Sequence, residues 1–159
     1  MPKGSVCDIG CGNGAVLEEF SQMGFGTLLG VESSRYRAQL ARARFGYHIA
    51  VGNFEDKTVV DELIRHKPID VMYSFHVMEH VYDPNKFLSV AAKLQHDGGY
   101  IILAMPDVEH EPCITTLFWL PHLHAYSRQA LEKLLNTHGY EVVADNFSYN
   151  RLMIAARKT

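Results

Sequence analysis

Two carboxylates and a run of glycines are the residues of this chain whose types and spacing could do chemistry. The run Asp8-Ile-Gly-Cys-Gly-Asn-Gly14 follows a short apolar segment and opens an amphipathic one. In that setting glycines let the backbone approach a ligand, and the N-terminus of the coming helix offers free N–H groups. The glycine pattern alone leaves alternatives open, because Gly10-x-Gly12-x-x-Ala15 also satisfies the permissive dinucleotide fingerprint, and a bare strand-to-helix turn is the third reading. Asp8, near the end of the first strand, is a buried carboxylate that needs a partner. A ligand amino group would supply one, which suits a zwitterionic amino-acid moiety better than a pyrophosphate. Glu32 ends the second strand about 20 residues further on, where a carboxylate can accept from both ribose hydroxyls of a dinucleotide or an adenosyl ligand.

Histidines form the second set. His76 and His80 share one face if the segment Val77–Val81 is helical, as zinc ligands can, and His110, His122 and His124 follow downstream. Neither a cysteine pair nor an H-E-x-x-H pattern supports a metal, so the expectation is no metal site. Cys7, Cys11 and Cys113 have no C-x-x-C spacing and suggest reduced thiols, with Cys11 a small side chain packed in the glycine loop. Histidine is suited to removing a proton near neutral pH. His76, His80, His122 and His124 are therefore base candidates, each weighed against a structural or surface role. Phe118, Trp119 and Leu120 could line an acceptor pocket, or form a lid, a dimer contact or core. Arg35, Arg37, Arg42 and Arg44 read as a solvated helix face.

These residues need a scaffold, and the chain alternates short β-rich runs with amphipathic stretches, the pattern of a parallel sheet with helices on both faces. The expected strands are Ser5–Ile9, Thr27–Glu32, His48–Val51, Ile69–Ser74 and Tyr100–Met105. Asn13 is expected to cap the first helix and Gly24 to stop it. Asp83-Pro84 starts a helix that turns Phe87, Leu88, Ala91 and Leu94 inward and ends at Asp97-Gly98-Gly99. Pro106–Tyr126 reads as a functional loop. Ser127 caps a helix carrying Ala130, Leu131, Leu134 and Leu135. Tyr140–Ala144 and Arg151–Arg157 are too close for a parallel crossover and predict an antiparallel hairpin.

With 159 residues, 47% of them hydrophobic and 21% charged, the chain fits one domain, 1–159, with a single core. The net charge of −3 gives no global attraction to phosphate backbones, which disfavours nucleic acid as partner. No apolar run approaches the roughly 20 residues of a membrane span, and the start lacks the apolar core of a secretion signal, so a cytoplasmic protein is expected.

Taken in order, VCDIGCGNG, GVESS, VGNFED, IDVMYSFHVMEHVYDP, the GGYIIL strand and HLHAYSRQALEKLLNTHGYEVV resemble the class I S-adenosylmethionine-dependent methyltransferases, of the ubiquinone-biosynthesis-like small-molecule type. The resemblance implies an α/β, Rossmann-like three-layer sandwich with a seven-stranded, mostly parallel sheet in the order 3-2-1-4-5-7-6, strand 7 antiparallel. It implies S-adenosylmethionine as cofactor and S-adenosylhomocysteine as product. The methionine portion would lie against Asp8, Gly10 and Gly12, the ribose on Glu32, and the adenine beside Asn53 and Phe54, with Cys11, Asn13 and Ser33 also among the cofactor-binding residues. Ser74, Phe75 and His76 would border the reactive methyl. Asn53 stands where the family often has aspartate. Among the base candidates, His122 aligns with a family histidine, and Glu79-His80 matches a common pair. Covering helices usual before the first strand have no counterpart here, so a homodimer or partner subunit could cover the site. Transfer to O, N or C of a small acceptor is the leading function. A weakly catalytic cofactor-binding subunit and a nicotinamide oxidoreductase are the alternatives.

Overall fold

The structure, a computed structural model, describes residues 4–109, 121–148 and 151–159. Seven strands form one sheet: β1 Ser5–Ile9, β2 Thr27–Glu32, β3 His48–Val51, β4 Ile69–Phe75, β5 Gln95–Pro106, β6 Tyr140–Ser148 and β7 Arg151–Lys158. The helices are α1 Ala15–Gln22, α2 Arg35–Phe45, α3 Lys57–Leu63, α4 Pro84–Leu94 and α5 Arg128–Thr137, with 3-10 turns at Ile64–His66 and Met78–His80. The spatial order is β3-β2-β1-β4-β5-β7-β6. Strands β1 to β5 run parallel, and β7 runs antiparallel to both β5 and β6. This is the order and hand of the seventh strand that the resemblance implied.

The β-rich runs become strands because both faces of the central sheet are occupied by apolar side chains. Helices α3, α4 and α5 press Val59, Leu63, Phe87, Leu88, Ala91, Leu94, Leu131 and Leu135 onto Cys7, Ile9, Met72, Ile101, Leu103 and Ile154. A smaller cluster on the opposite face joins Cys11, Leu17, Ala38, Ala41 and Ile49. There α1 comes close because residue 30 is glycine: a Cβ at Gly30 would sit 2.6 Å from Cys11 Sγ and 2.5 Å from Ile49 Cδ1. Helices α1 and α2 lie over the β1–β3 side of that face, and Phe20 of α1 reaches Tyr73 of β4 with ring centres 5.7 Å apart. Over β4, β5 and β7 the side chains of Val71, Tyr73, Phe75, Ile102, Met153 and Ala155 are half-buried.

Several local expectations hold. Asp83 Oδ1 accepts from the N–H groups of Asn85 and Lys86 at 3.0 and 3.1 Å, and Pro84 opens α4. Ser127 Oγ accepts from Ala130 N at 3.2 Å. The Arg35, Arg37, Arg42 and Arg44 side chains belong to exposed residues of α2.

Other expectations need correction. The N-cap of α1 is Gly14 at φ +83°, not Asn13, whose Oδ1 reaches only Ala15 N at 3.3 Å. A left-handed cap residue cannot be asparagine's usual extended N-cap geometry, so glycine takes the position. Helix α4 ends at Leu94 rather than at Asp97-Gly98-Gly99. Gln95 leaves the helix to pair with Ile69, and its Nε2 donates to Tyr100 O at 2.8 Å. Val77–Val81 is not an α-helix but a single 3-10 turn. Strand β6 runs on to Ser148, four residues past the expected end. Helix α3, with seven residues, went unread because so short a stretch shows little periodicity.

Candidate active site

All five parallel strands point their C-terminal ends the same way, and the chain reverses direction of travel between β1 and β4, which are neighbours in the sheet. A crevice at such a switch point is where open α/β sheets bind ligands. The glycine loop lies there. Gly10 and Cys11 donate to Val31 O at 2.8 and 3.0 Å, so the loop folds back over the end of β2. Gly10 and Gly12 have φ of +81° and +56°. A Cβ on Gly10 would lie 2.5 Å from Val77 Cγ2, which brings the loop into direct contact with the segment after β4, whereas a Cβ on Gly12 would meet nothing within 4 Å. One glycine closes the loop against protein and the other leaves room for a ligand.

Glu32, buried at the end of β2, holds this arrangement. Its Oε2 accepts from Gly12 N at 2.9 Å and its Oε1 from Ser34 N at 2.8 Å. Each carboxylate oxygen keeps a second lone pair, enough for two ribose hydroxyls. Asp8 is only 3% exposed. Burial, and then the charge of Glu32, pushes its carboxyl up to about 7. Among the described residues no lysine, arginine or histidine pairs with either carboxylate. Two buried acidic groups beside an open glycine loop fit a ligand that brings a positive charge and vicinal hydroxyls. S-adenosylmethionine has both.

The remaining expected cofactor residues divide. Asn13, Ser33 and Asn53 are exposed beside the crevice, and Asn53 N donates to Asp56 Oδ2 at 2.8 Å. Cys11 and Phe54 are committed to the core through their side chains. Cys11 is buried beneath the loop against Gly30, with its thiol pushed up to about 12 by burial and by Asp8 and Glu32. Phe54 is 3% exposed and packs its ring on Phe87 at 4.9 Å. Their side chains are thus held in the core, and what they offer the crevice is backbone. Ser74 is buried, and its Oγ has no hydrogen-bond partner. Phe75 is half-buried under the Arg151 guanidinium, 5.3 Å from the ring centre.

After β4, the 3-10 turn separates the two histidines that a helix would have aligned. His76 Nδ1 lies 2.8 Å from Glu79 Oε1, while His80 Nδ1 lies 2.9 Å from Pro121 O and its ring 5.0 Å from that of His122. Glu79 O accepts from Leu123 N and His124 N, which pins this end of the 121–124 segment to the turn. The sequence singles out Glu79 only as part of the Glu79-His80 pair, not as the partner of His76. Its side chain is 2% exposed and its Oε2 is unpartnered. Glu79, His80 and His122 each place one ligand atom within 4.8 Å of the others, a spacing one cation could share. The nearer partner of Glu79 Oε1 is His76, at 2.8 Å against 4.0 Å to His80 Nε2. His110, Cys113, Phe118, Trp119 and Leu120 lie outside the described residues.

Comparison with known proteins agrees with this geometry. Residues 2–145 match the methyltransferase domain family. A ubiquinone biosynthesis O-methyltransferase of Caulobacter sp. (strain K31) is 34% identical over 62% of this chain and 39% of its own. One from Rhizobium leguminosarum bv. trifolii is 27% identical over 86% of this chain and 59% of its own. The chain thus spans roughly two fifths to three fifths of the length of these curated relatives. The crystal structure of magnesium protoporphyrin IX methyltransferase from Synechocystis with bound S-adenosylhomocysteine superposes with a TM-score of 0.75 at 17% identity, covering 99% of this chain and 75% of that one. The sheet order, the glycine loop closed by Glu32 and the match over most of the chain lead to one conclusion: the chain belongs to the S-adenosylmethionine-dependent methyltransferase domain family.

Proposed function

We propose that the protein transfers a methyl group from S-adenosylmethionine to an oxygen or nitrogen of a small-molecule acceptor. The observation that carries this is the pair of buried carboxylates, Asp8 and Glu32, facing the one glycine loop with open space above it. The methyl of the bound sulfonium is the group transferred. The chain's own residues do the rest: Glu32 and the loop amides fix the nucleoside, Asp8 receives the ammonium group, and Ser74 to His76 border the reacting methyl. An in-line displacement gains most from such alignment. A nicotinamide dinucleotide, with its anionic pyrophosphate, is less consistent with two buried carboxylates beside the loop. The ubiquinone-pathway names of the two relatives support a hydroxylated aromatic acceptor.

A net charge of −3 supports a metabolite rather than nucleic acid. Among the described residues no helix is long and apolar enough to cross a membrane. A cytoplasmic, single-domain enzyme is part of the proposal. Titration calorimetry with S-adenosylmethionine, S-adenosylhomocysteine and NAD tests it: micromolar binding of the first two with none of the third is expected, and the reverse would overturn it.

One observation favours a second reading, a cofactor-binding subunit of a larger assembly. Tyr73, Phe75 and Ile102, in the middle of the sheet, are only half-buried, where central strands of such folds are covered on both faces. Size-exclusion chromatography with light scattering during turnover decides, since an active monomer contradicts this reading.

A further inference from the structure

We propose that His76 is the base that takes the acceptor's proton, and that Glu79 is the residue that positions it. The inference rests on the methyl-transfer reading above and sets His76 ahead of His80, its neighbour across the turn.

Three independent features converge on His76. First, it is the one non-glycine residue among those described with positive φ, +55°. Such a backbone is strained and persists where surrounding structure holds it. Here His76 N donates to Ala104 O at 2.8 Å, and the Phe75 ring stands edge-on to the imidazole with centres 4.5 Å apart. Second, Nδ1 lies 2.8 Å from the carboxylate of Glu79, whose side chain is almost fully buried while that of His76 is one-third exposed. With Glu79 accepting, Nδ1 carries the hydrogen and Nε2 is left with a bare lone pair. Third, the next residue, Val77, touches Gly10 of the cofactor loop, so the imidazole stands at the junction of cofactor and acceptor. His80 is oriented differently, with Nδ1 held by Pro121 O on the far side of the turn.

The step then balances. The acceptor O–H or N–H gives its proton to His76 Nε2, and the heteroatom's lone pair forms the new bond to the methyl carbon. The carbon–sulfur pair stays on sulfur, leaving a neutral thioether, and the imidazolium, held against Glu79, later releases its proton to water. A positioned base of this kind contributes roughly 100-fold to 10,000-fold to a rate.

The test uses the whole chain, with catechol as the acceptor probe and Glu79→Leu, Glu79→Gln and His76→Gln as variants. Nitrogen-15 NMR of the imidazoles at mildly alkaline pH needs no acceptor. It should show His76 as the Nδ1–H tautomer in the wild type and in Glu79→Gln, whose amide oxygen still accepts, but as Nε2–H in Glu79→Leu. Catechol turnover should fall on the order of 100-fold in kcat for His76→Gln and about 10-fold for Glu79→Leu, with smaller loss in Glu79→Gln. KM for catechol and the affinity for S-adenosylmethionine should change less than about twofold, which separates this from loss of the cofactor site. An Nε2–H tautomer in the wild type overturns the proposal. So does a tautomer indifferent to Glu79→Leu, or turnover that EDTA abolishes and Mn2+ restores, which would make Glu79, His80 and His122 a metal site instead. Failure of the wild type to bind S-adenosylmethionine would overturn the methyl-transfer reading itself.

Discussion

Glu32 Oε2 accepts the backbone N–H of Gly12 at 2.9 Å, so the carboxylate expected to receive the ribose also holds the glycine loop in shape. Replacing Glu32 with alanine removes both functions. Hydrogen bonds to a charged group are worth about 1.5 to 3 kcal/mol, so affinity for S-adenosylmethionine should fall at least tenfold by calorimetry. Glu32→Gln keeps one acceptor oxygen and should lose less.

Asp8 makes binding depend on pH. Its carboxyl is raised to about 7, so between about pH 4 and 7 the folded chain holds a proton that the unfolded chain has lost. Stability of the ligand-free protein should therefore decline as pH rises across that window and level off above it. A cationic ligand favours the ionised form, so binding near pH 6.5 should release protons, seen as a dependence of binding heat on the buffer's ionisation enthalpy. Asp8→Asn should abolish both effects and weaken binding.

The two loop glycines should fail differently. Gly12→Ala strains a left-handed residue by about 1 to 2 kcal/mol but meets no protein atom, so melting should drop by a few degrees while cofactor binding is lost. Gly10→Ala would collide with Val77 and should lower melting further. Equal melting losses for the two would contradict the contact.

Phe54 tests the division between core and ligand. Its ring rests on Phe87, so Phe54→Ala should cost about 3 to 5 kcal/mol in denaturant unfolding. Phe54→Leu, which keeps most of the volume, should retain cofactor affinity.

Cys7 and Cys11 are buried, and burial pushes both thiols up. Only the thiolate reacts with disulfide reagents, so neither should be modified by Ellman's reagent until the chain is unfolded, as peptide mapping would show.

The sheet was legible because its information is local: Ser5–Ile9, Thr27–Glu32 and His48–Val51 are short apolar runs bounded by glycine or capping residues, and they form strands with those bounds. The hairpin followed from the short distance between Ala144 and Arg151. What was not legible depended on partners far along the chain. Gln95 leaves its helix for Ile69 and Tyr100. Cys11 and Phe54 turn inward because Gly30 and Phe87 make room for them. Glu79 gains importance only once the turn Met78–His80 swings its carboxylate under His76. Four-residue spacing suggested His76 with His80, but a 3-10 turn brings residues three apart into register.

Asp107 bridges to Tyr126, and Val108 N donates to Tyr126 O at 3.1 Å. The chain therefore leaves the end of β5 and comes back to it through one clasp before α5 begins. Residues 121–124 are pinned to the turn Met78–His80, so a change of length between 109 and 121 closes on anchored ends, at an entropic cost that grows only with the logarithm of its length. A segment inserted there would start and finish beside the same turn whatever its length, because both of its ends are fixed by the fold.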